Sequence, residues 1–273
     1  MSRWSPRRDT GYDWARLNAE VPASGRAAYL DRLRQLEPVQ AVSQRLLVLA
    51  DIRPGDRVLD VGCGIGHDVR TASRHAGRDG FVVGLDRSHP LLMQARAPAE
   101  PASYVSADAL SMPLAGRTFD VVLCNRVLQH VPDPGTCLRE IVRVMRSSGH
   151  LVVAEPDWGT AVIGPGDALT GEAVISAADL VARHPRIGRG LAALLAQIDL
   201  VDVHVEVTSV FLRRLADAID FLDLAELISR AVAYGRTTED AVEAWRHQLE
   251  TADKNGTLVF AMEIFIAMGR KSG

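Results

Sequence analysis

Val58-Leu59-Asp60-Val61-Gly62-Cys63-Gly64-Ile65-Gly66 is the stretch whose reading decides the fold. A short apolar run of strand character stops at glycines in alternate positions, and a segment with helical spacing, His67 to Ala76, follows it. A glycine-rich turn between strand and helix lets backbone approach a ligand closely. A dinucleotide fingerprint needs its third glycine one residue later, where this chain has His67, and a phosphate-binding P-loop needs Gly-Lys-Ser/Thr, which is absent. Read alone, the three glycines also fit an ordinary tight turn.

Working outward, similar apolar runs recur at Phe81–Leu85, Tyr104–Ser106, Phe119–Cys124 and Leu151–Ala154, with helical patterns near His67–Ala76, Pro90–Ala97 and Thr136–Arg146 between them. Strands alternating with helices predict βαβ units and a mainly parallel sheet covered on both faces. Upstream, Ser24–Asp51 has helical spacing that Pro38 divides into two helices; residues 1–22 show no clear period. Downstream, Asp167–Arg183 and Ile187–Ile198 read as helices, Val201–Phe211 as a strand with period-two alternation, Leu215–Ala233 and Glu239–Lys254 as two amphipathic helices, and Leu258–Met268 as a final strand. The helical pair interrupts the last two strands, as a cap on one α/β domain.

Two acids strengthen the ligand reading. Asp86 ends the second strand and Asp108 follows the third, so both fall at carboxyl ends of successive strands, where open α/β sheets bind ligands. Asp86 there can accept from both hydroxyls of a ribose. Asp108 can accept from an exocyclic amine, with the Ala109 amide opposite a ring nitrogen. The plainer alternatives are a solvated strand-end aspartate and a helix cap. Together with the glycine loop, the two acids make one coherent nucleoside pocket.

Asp60-Val61-Gly62-Cys63-Gly64-Ile65-Gly66, Gly84-Leu85-Asp86, Ala107-Asp108-Ala109 and Phe119-Asp120-Val121-Val122 occur in the order of the motifs of class I S-adenosylmethionine-dependent methyltransferases, which this chain resembles from about Arg53 to Trp158. Val127–Pro134 and Ser148–Glu155 look like later motifs of the small-molecule branch, which covers quinone and natural-product methylation. The resemblance implies a Rossmann-like, doubly wound seven-stranded sheet. Its last strand lies antiparallel beside the fifth, with N-terminal helices and a helical cap inserted between the last two strands. The implied organisation is an arm with lid helices over 1–50 and a methyltransferase domain over 51–273, the insertion lying at about 213–256. It further implies S-adenosyl-L-methionine as cofactor. Asp60, Gly62, Gly64 and Gly66 would cradle its methionine portion, Asp86 the ribose, and Asp108 with Ala109 the adenine; Asn125 and Gln129 would lie beneath the sulfonium. Arg87 stands where an apolar residue is commoner and can stack on the adenine; a solvent-facing arginine is the alternative.

For a hydroxyl acceptor, His130 resembles the base of some natural-product O-methyltransferases, although a histidine that merely fixes the Val131-Pro132 turn fits as well. Asp157, after Glu155, is the second catalytic candidate, to orient His130 or bind a polar acceptor; a turn aspartate is its alternative. His67 reads as a helix start. Trp14, Tyr29, Trp158, Phe221, Tyr234 and Trp245 are available to line an acceptor pocket. Apolar stripes such as Ile219, Leu222, Ala225 and Leu227 read first as packing, and Arg32, Arg34 and Arg45 can reach the cofactor carboxylate or simply face water.

Composition excludes other classes. The chain has 273 residues, 47% hydrophobic and 24% charged, with 31 Lys plus Arg against 34 Asp plus Glu for a net charge of −3. That balance disfavours a nucleic-acid partner. Asn125-Arg126-Val127-Leu128 lacks the Asn/Asp-Pro-Pro-aromatic motif of nucleic-acid amino-methyltransferases. Cys63, Cys124 and Cys137 have no metal-ligand spacing, so no metal is expected, and so few thiols suit a reducing cytosol. No apolar run reaches membrane-spanning length and the first residues do not resemble a secretory leader. The expectation is a cytoplasmic enzyme acting on a small-molecule acceptor, with no membrane partner and a homodimer left open. Its reaction is methyl transfer, most simply O-methylation in secondary metabolism, with N- or C-methylation as variants. A cofactor-binding scaffold that catalyses cyclisation or rearrangement, or a non-catalytic subunit, is the alternative.

Overall fold

The computed structural model describes residues 23–96 and 102–273. Trp14 and the arm over 1–22 lie outside the described residues. The chain divides into two compact units that interleave in sequence. The larger comprises Ala41–Pro156, Ile187–Thr208 and Ile264–Gly273; the smaller comprises Met1–Gln40, Asp157–Arg186 and Ser209–Glu263.

The larger unit is built on strands β1 (Arg57–Val61), β2 (Phe81–Asp86), β3 (Ala102–Ser106), β4 (Phe119–Asn125) and β5 (Met145–Pro156). They run parallel in the order β3-β2-β1-β4-β5. Beside β5 lies β8 (Val259–Lys271), antiparallel, with His150 opposite Arg270 and Pro156 opposite Ile264. β7 (Leu200–Leu212) pairs with β8. The expected antiparallel last strand beside the fifth is therefore present. Alternate residues explain the sheet's burial. Leu59, Val61, Val83, Val122, Cys124, Leu151 and Val153 enter one core cluster with Leu138 and Ile141 of α5 (Pro134–Val144) and with Leu191 and Leu195 of α7 (Leu191–Leu195). On the opposite face, Val69 of α3 (His67–Ala76) packs over Gly84, so helices cover both sides. α2 (Glu37–Ala50) carries Pro38 in its first turn, where a missing N–H is tolerated.

The smaller unit contains α1 (Ala23–Gln35), β6 (Val162–Gly164), α6 (Ala168–Ser176), α8 (Leu215–Leu222), α9 (Leu224–Ala233) and α10 (Glu239–Lys254). Trp245 is fully buried, its indole lying so close to Gly166 that a Cβ there would sit 3.0 Å from Trp245 Cδ1. The Phe221 and Phe260 rings meet at 5.5 Å.

Sequence and structure differ in four places, one being the helix expected over Ile187–Ile198, which is a 3-10 turn over Gly188–Gly190 followed by the short α7. The single helix expected over Leu215–Ala233 is two, because Asp223 adopts a left-handed conformation (φ 48°) that ends α8 and starts α9. The helix expected over Asp167–Arg183 stops at Ser176 and tightens into a 3-10 turn over Ala177–Leu180. The three-residue strand β6 was not expected; it pairs with Val259–Ala261 and brings the strands among the described residues to eight.

The fully buried Trp245 sets a stability prediction. Trp245→Ala removes a side chain packed against two glycine backbones, so denaturant unfolding should show a loss of about 3–5 kcal/mol. A loss under about 1 kcal/mol would contradict this packing.

Candidate functional site

The site grows from the turn after β1. Gly62, Gly64 and Gly66 all have positive φ (71°, 54° and 74°), a region closed to most side chains. The Gly62 and Cys63 amides both donate to the Leu85 carbonyl, at 2.7 and 3.0 Å. Crowding gives a second reason for glycine. A Cβ on Gly62 would lie 2.3 Å from Val127 Cγ2, and one on Gly66 would lie 2.6 Å from the Tyr104 hydroxyl.

Asp86 closes this arrangement. Its Oδ2 accepts from Gly64 N at 2.9 Å and its Oδ1 from Ser88 N at 2.8 Å. Both oxygens are oriented by backbone amides of the fold itself. Asp108, exposed, turns Oδ1 to Leu110 N at 2.9 Å instead of capping a helix; Ala109 beside it is buried and Arg87 is exposed. Asp60 is buried beneath the loop. Desolvation, then the charges of Asp68 and Asp86, holds its carboxyl well above the usual carboxylate range. An incoming cation relieves such a cluster.

β4 delivers the second wall. Asn125 Nδ2 donates to Asp68 Oδ2 at 3.0 Å. Arg126 then takes a left-handed conformation (φ 59°), donating its N–H to Ala154 O at 2.7 Å. The loop it starts carries Val127, the buried Gln129, and His130. Its anchor is Glu155, fully buried at the end of β5, whose Oε1 accepts from Val127 N at 2.7 Å and Leu128 N at 2.5 Å. Burial pushes this carboxyl up to about 8 against the pull of those amides. Burial, and then the Arg126 charge, pushes His130 down to about 3, so its imidazole is neutral at physiological pH. The Cys137 thiol is pushed up to about 12, chiefly by burial, and the Cys63 and Cys124 thiols are raised for the same reason.

The larger unit therefore holds Asp60, Gly62, Gly64, Gly66, Asp86, Asn125, Gln129 and His130, and places Arg87 just after β2 and Asp108 with Ala109 just after β3 of the same sheet. Asp157 belongs to the smaller unit. It is buried and caps the 3-10 turn Trp158–Thr160, accepting from Gly159 N at 2.9 Å. Of the aromatics proposed for an acceptor pocket, Phe221 and Trp245 are buried packing residues, Tyr29 donates to Phe221 O at 3.3 Å, and Tyr234 is exposed. Arg32 pairs with Asp220 and Arg45 with Glu206. Sequence reading missed Glu155 as an anchor; the signal was an acid closing the wholly apolar run Leu151–Ala154. It also missed Asp68, whose helical position gave no sign of its Asn125 partner.

The arrangement fits S-adenosylmethionine. Bare backbone at three left-handed glycines leaves room for a bulky sulfur chain, and a pre-oriented carboxylate suits a ribose diol. The buried Ser88 Oγ and Asn125 Oδ1 have no hydrogen-bond partner among the described residues, which leaves polar capacity for a ligand. Among those residues no group of three or more His, Cys, Asp or Glu is placed to hold a metal ion, and no helix is long and apolar enough to cross a membrane.

A family model described as a methyltransferase domain matches residues 59–153. An uncharacterized 37.1 kDa protein in transposon TN4556 of Streptomyces fradiae is 36% identical over 247 residues, 87% of this chain and 71% of that one. Nocamycin O-methyltransferase of Saccharothrix syringae is 31% identical over 173 residues, 58% of this chain and 60% of the relative. The chain thus spans less than two thirds of that named relative. A putative methyltransferase from Bacillus halodurans shares the fold, with a TM-score of 0.58, 20% identity and coverage of 85% of this chain and 99% of that one.

Two outcomes follow. Gly62→Ala should abolish the rise in melting temperature that S-adenosylhomocysteine gives the native chain; an undiminished rise would contradict the cradle. Glu155 keeps its proton in the folded state up to about pH 8 but loses it near pH 4.5 when unfolded, so it costs stability as pH rises through that window. Glu155→Gln should reduce the fall in Tm between pH 5.5 and 8 by roughly 4–8 °C. Equal falls in both proteins would contradict a buried, protonated Glu155.

Proposed function

The chain belongs to the class I S-adenosylmethionine-dependent methyltransferases, and from that membership we propose that it methylates a hydroxyl oxygen of a small organic acceptor in secondary metabolism. The observation that carries the oxygen assignment is His130: a neutral imidazole on the loop that also holds Asn125 and Gln129, tied down by Glu155. Its kinship with an enzyme named for O-methylation supports the same reading.

When bound, S-adenosylmethionine supplies a methyl group on a sulfonium that leaves readily in an in-line displacement. Gly62, Gly64 and Gly66 keep the floor free of side chains. Asp86 accepts the ribose hydroxyls, and Asp108 with the Ala109 amide reads the adenine edge, with Arg87 beside it. Asp60 and Asp68 make the region favourable for positive charge. Asn125 and Gln129 would lie beneath the sulfonium. Most of the rate comes from orienting acceptor against donor, for which roughly 7–11 kcal/mol is available in favourable cases. His130 takes the hydroxyl proton as the oxygen–carbon bond forms and passes it to water. A base held near pKa 3 keeps a proton poorly, so its contribution falls at the low end of general-base catalysis, about 10²-fold. Asp157 contributes through the acceptor side, by fixing the turn at Trp158.

Methyl-labelled donor, offered with a panel of hydroxylated small molecules and matched amines, should place label in an ether. Label on nitrogen or carbon alone would overturn the oxygen assignment. Bound cofactor with no transfer to any acceptor would favour a cyclising or non-catalytic scaffold instead. With a working acceptor, His130→Ala should lower kcat about 10²-fold while leaving the affinity for S-adenosylhomocysteine within roughly threefold. An unchanged kcat would show that His130 takes no proton. The native pH–rate profile should show no limb near pH 6.5 from this histidine, because its proton is lost far below that range.

A further inference from the structure

β7 is an edge strand: among the described residues it pairs only with β8. Its stretch Val201-Asp202-Val203-His204-Val205-Glu206-Val207-Thr208 alternates apolar and polar, and Val201 to His204 are exposed in an unbroken row. Val203 is 38% and Val207 51% exposed. The polar face carries Asp202, held by Arg270, His204, and Glu206, held bidentately by Arg45. Natural proteins usually blunt such an edge with lysines, proline or a bulge; Asp202 has left-handed backbone (φ 55°), while residues 203–208 hold no lysine, no proline and no left-handed residue.

We propose that this edge is the interface for a second copy of this chain, the two β7 strands pairing antiparallel about a two-fold axis at Val205. The register argument selects that axis. Directly opposed residues of an antiparallel pair share a face, so the two-fold must pass through a residue to keep apolar against apolar. An axis at His204 opposes Asp202 to Glu206 and His204 to itself. An axis at Glu206 opposes the two Glu206 carboxylates. Like charges directly opposed destabilise a pair. An axis at Val203 draws the left-handed Asp202 into the ladder, and one at Val207 sets Val205 against Ser209. The axis at Val205 leaves Asp202 outside the paired stretch and opposes His204 to the partner's Glu206 twice and Val203 to Val207 twice, with Val205 meeting itself. It leaves no like-charge pair on the polar face and an unbroken valine row on the other. A two-fold contact is also self-limiting, so the edge closes on one partner and does not propagate. This inference goes beyond the methyl-transfer reading and does not rest on it.

Sedimentation of the full chain across a concentration series tests it, with His204→Glu, Val207→Lys and His204→Lys variants checked for native circular dichroism. The native chain should reach twice the monomer mass in the micromolar range. His204→Glu and Val207→Lys should each weaken dimerisation roughly tenfold or more, since the two-fold counts every change twice. His204→Lys sets a positive charge opposite the partner's Glu206 and should retain the dimer. His204 is a surface residue, so its variants read the interface even where Val207→Lys fails to fold. A native chain that stays monomeric at high concentration overturns the proposal, as does a dimer indifferent to His204→Glu.

Discussion

One carbonyl, that of Leu85, accepts hydrogen bonds from two successive amides, Gly62 and Cys63. Everything at the site depends on that double acceptance. It folds the turn after β1 back onto the end of β2 and forces the loop through left-handed backbone. The same closure sets the Gly64 amide within 2.9 Å of Asp86. A carboxylate gripped at both oxygens has little freedom left to lose, so under the proposed function a ribose would meet a geometry already set by the fold. Glycine is required twice over, once by φ and once by the closeness of Val127 and Tyr104.

Buried ionisable groups tune the surrounding walls in opposite directions. Glu155 is held protonated to about pH 8 and His130 neutral down to about pH 3, both mainly by burial. The first costs stability as pH rises above the usual carboxylate range. The second costs stability as pH falls below about 6.5, where an unfolded histidine gains its proton. Their summed cost is smallest in mildly acidic solution, between about pH 4.5 and 6.5. The Glu155 anchor also explains how a non-glycine residue, Arg126, holds a left-handed turn: three bonds at 2.5–2.7 Å, from Arg126 to Ala154 and from Val127 and Leu128 to Glu155, over-determine the loop.

Much of this was legible in the sequence. The five parallel strands, the antiparallel last strand and the exact span of α3 follow from period and from glycines placed at both ends of that helix. Asp86 and Asp108 were legible because strand ends are where ligands bind in such sheets. The rest was not, for physical reasons. Asp223 breaks a helix through a left-handed conformation that no periodicity announces. β6 is too short to carry a pattern. The two compact units are interleaved, so no linker marks their boundary. Glu155 acts on amides 27 and 28 residues away, and the neutral state of His130 comes from burial, a property of the packed structure.

The central claim is that Asp86 works as a carboxylate whose two oxygens both accept. Calorimetric titration of S-adenosylhomocysteine into the native chain and Asp86→Asn tests it most directly. An asparagine turns one acceptor into a donor facing an amide N–H. The account predicts saturable heat for the native chain and an affinity at least about tenfold weaker for the variant. Equal affinities in two well-folded proteins would contradict it.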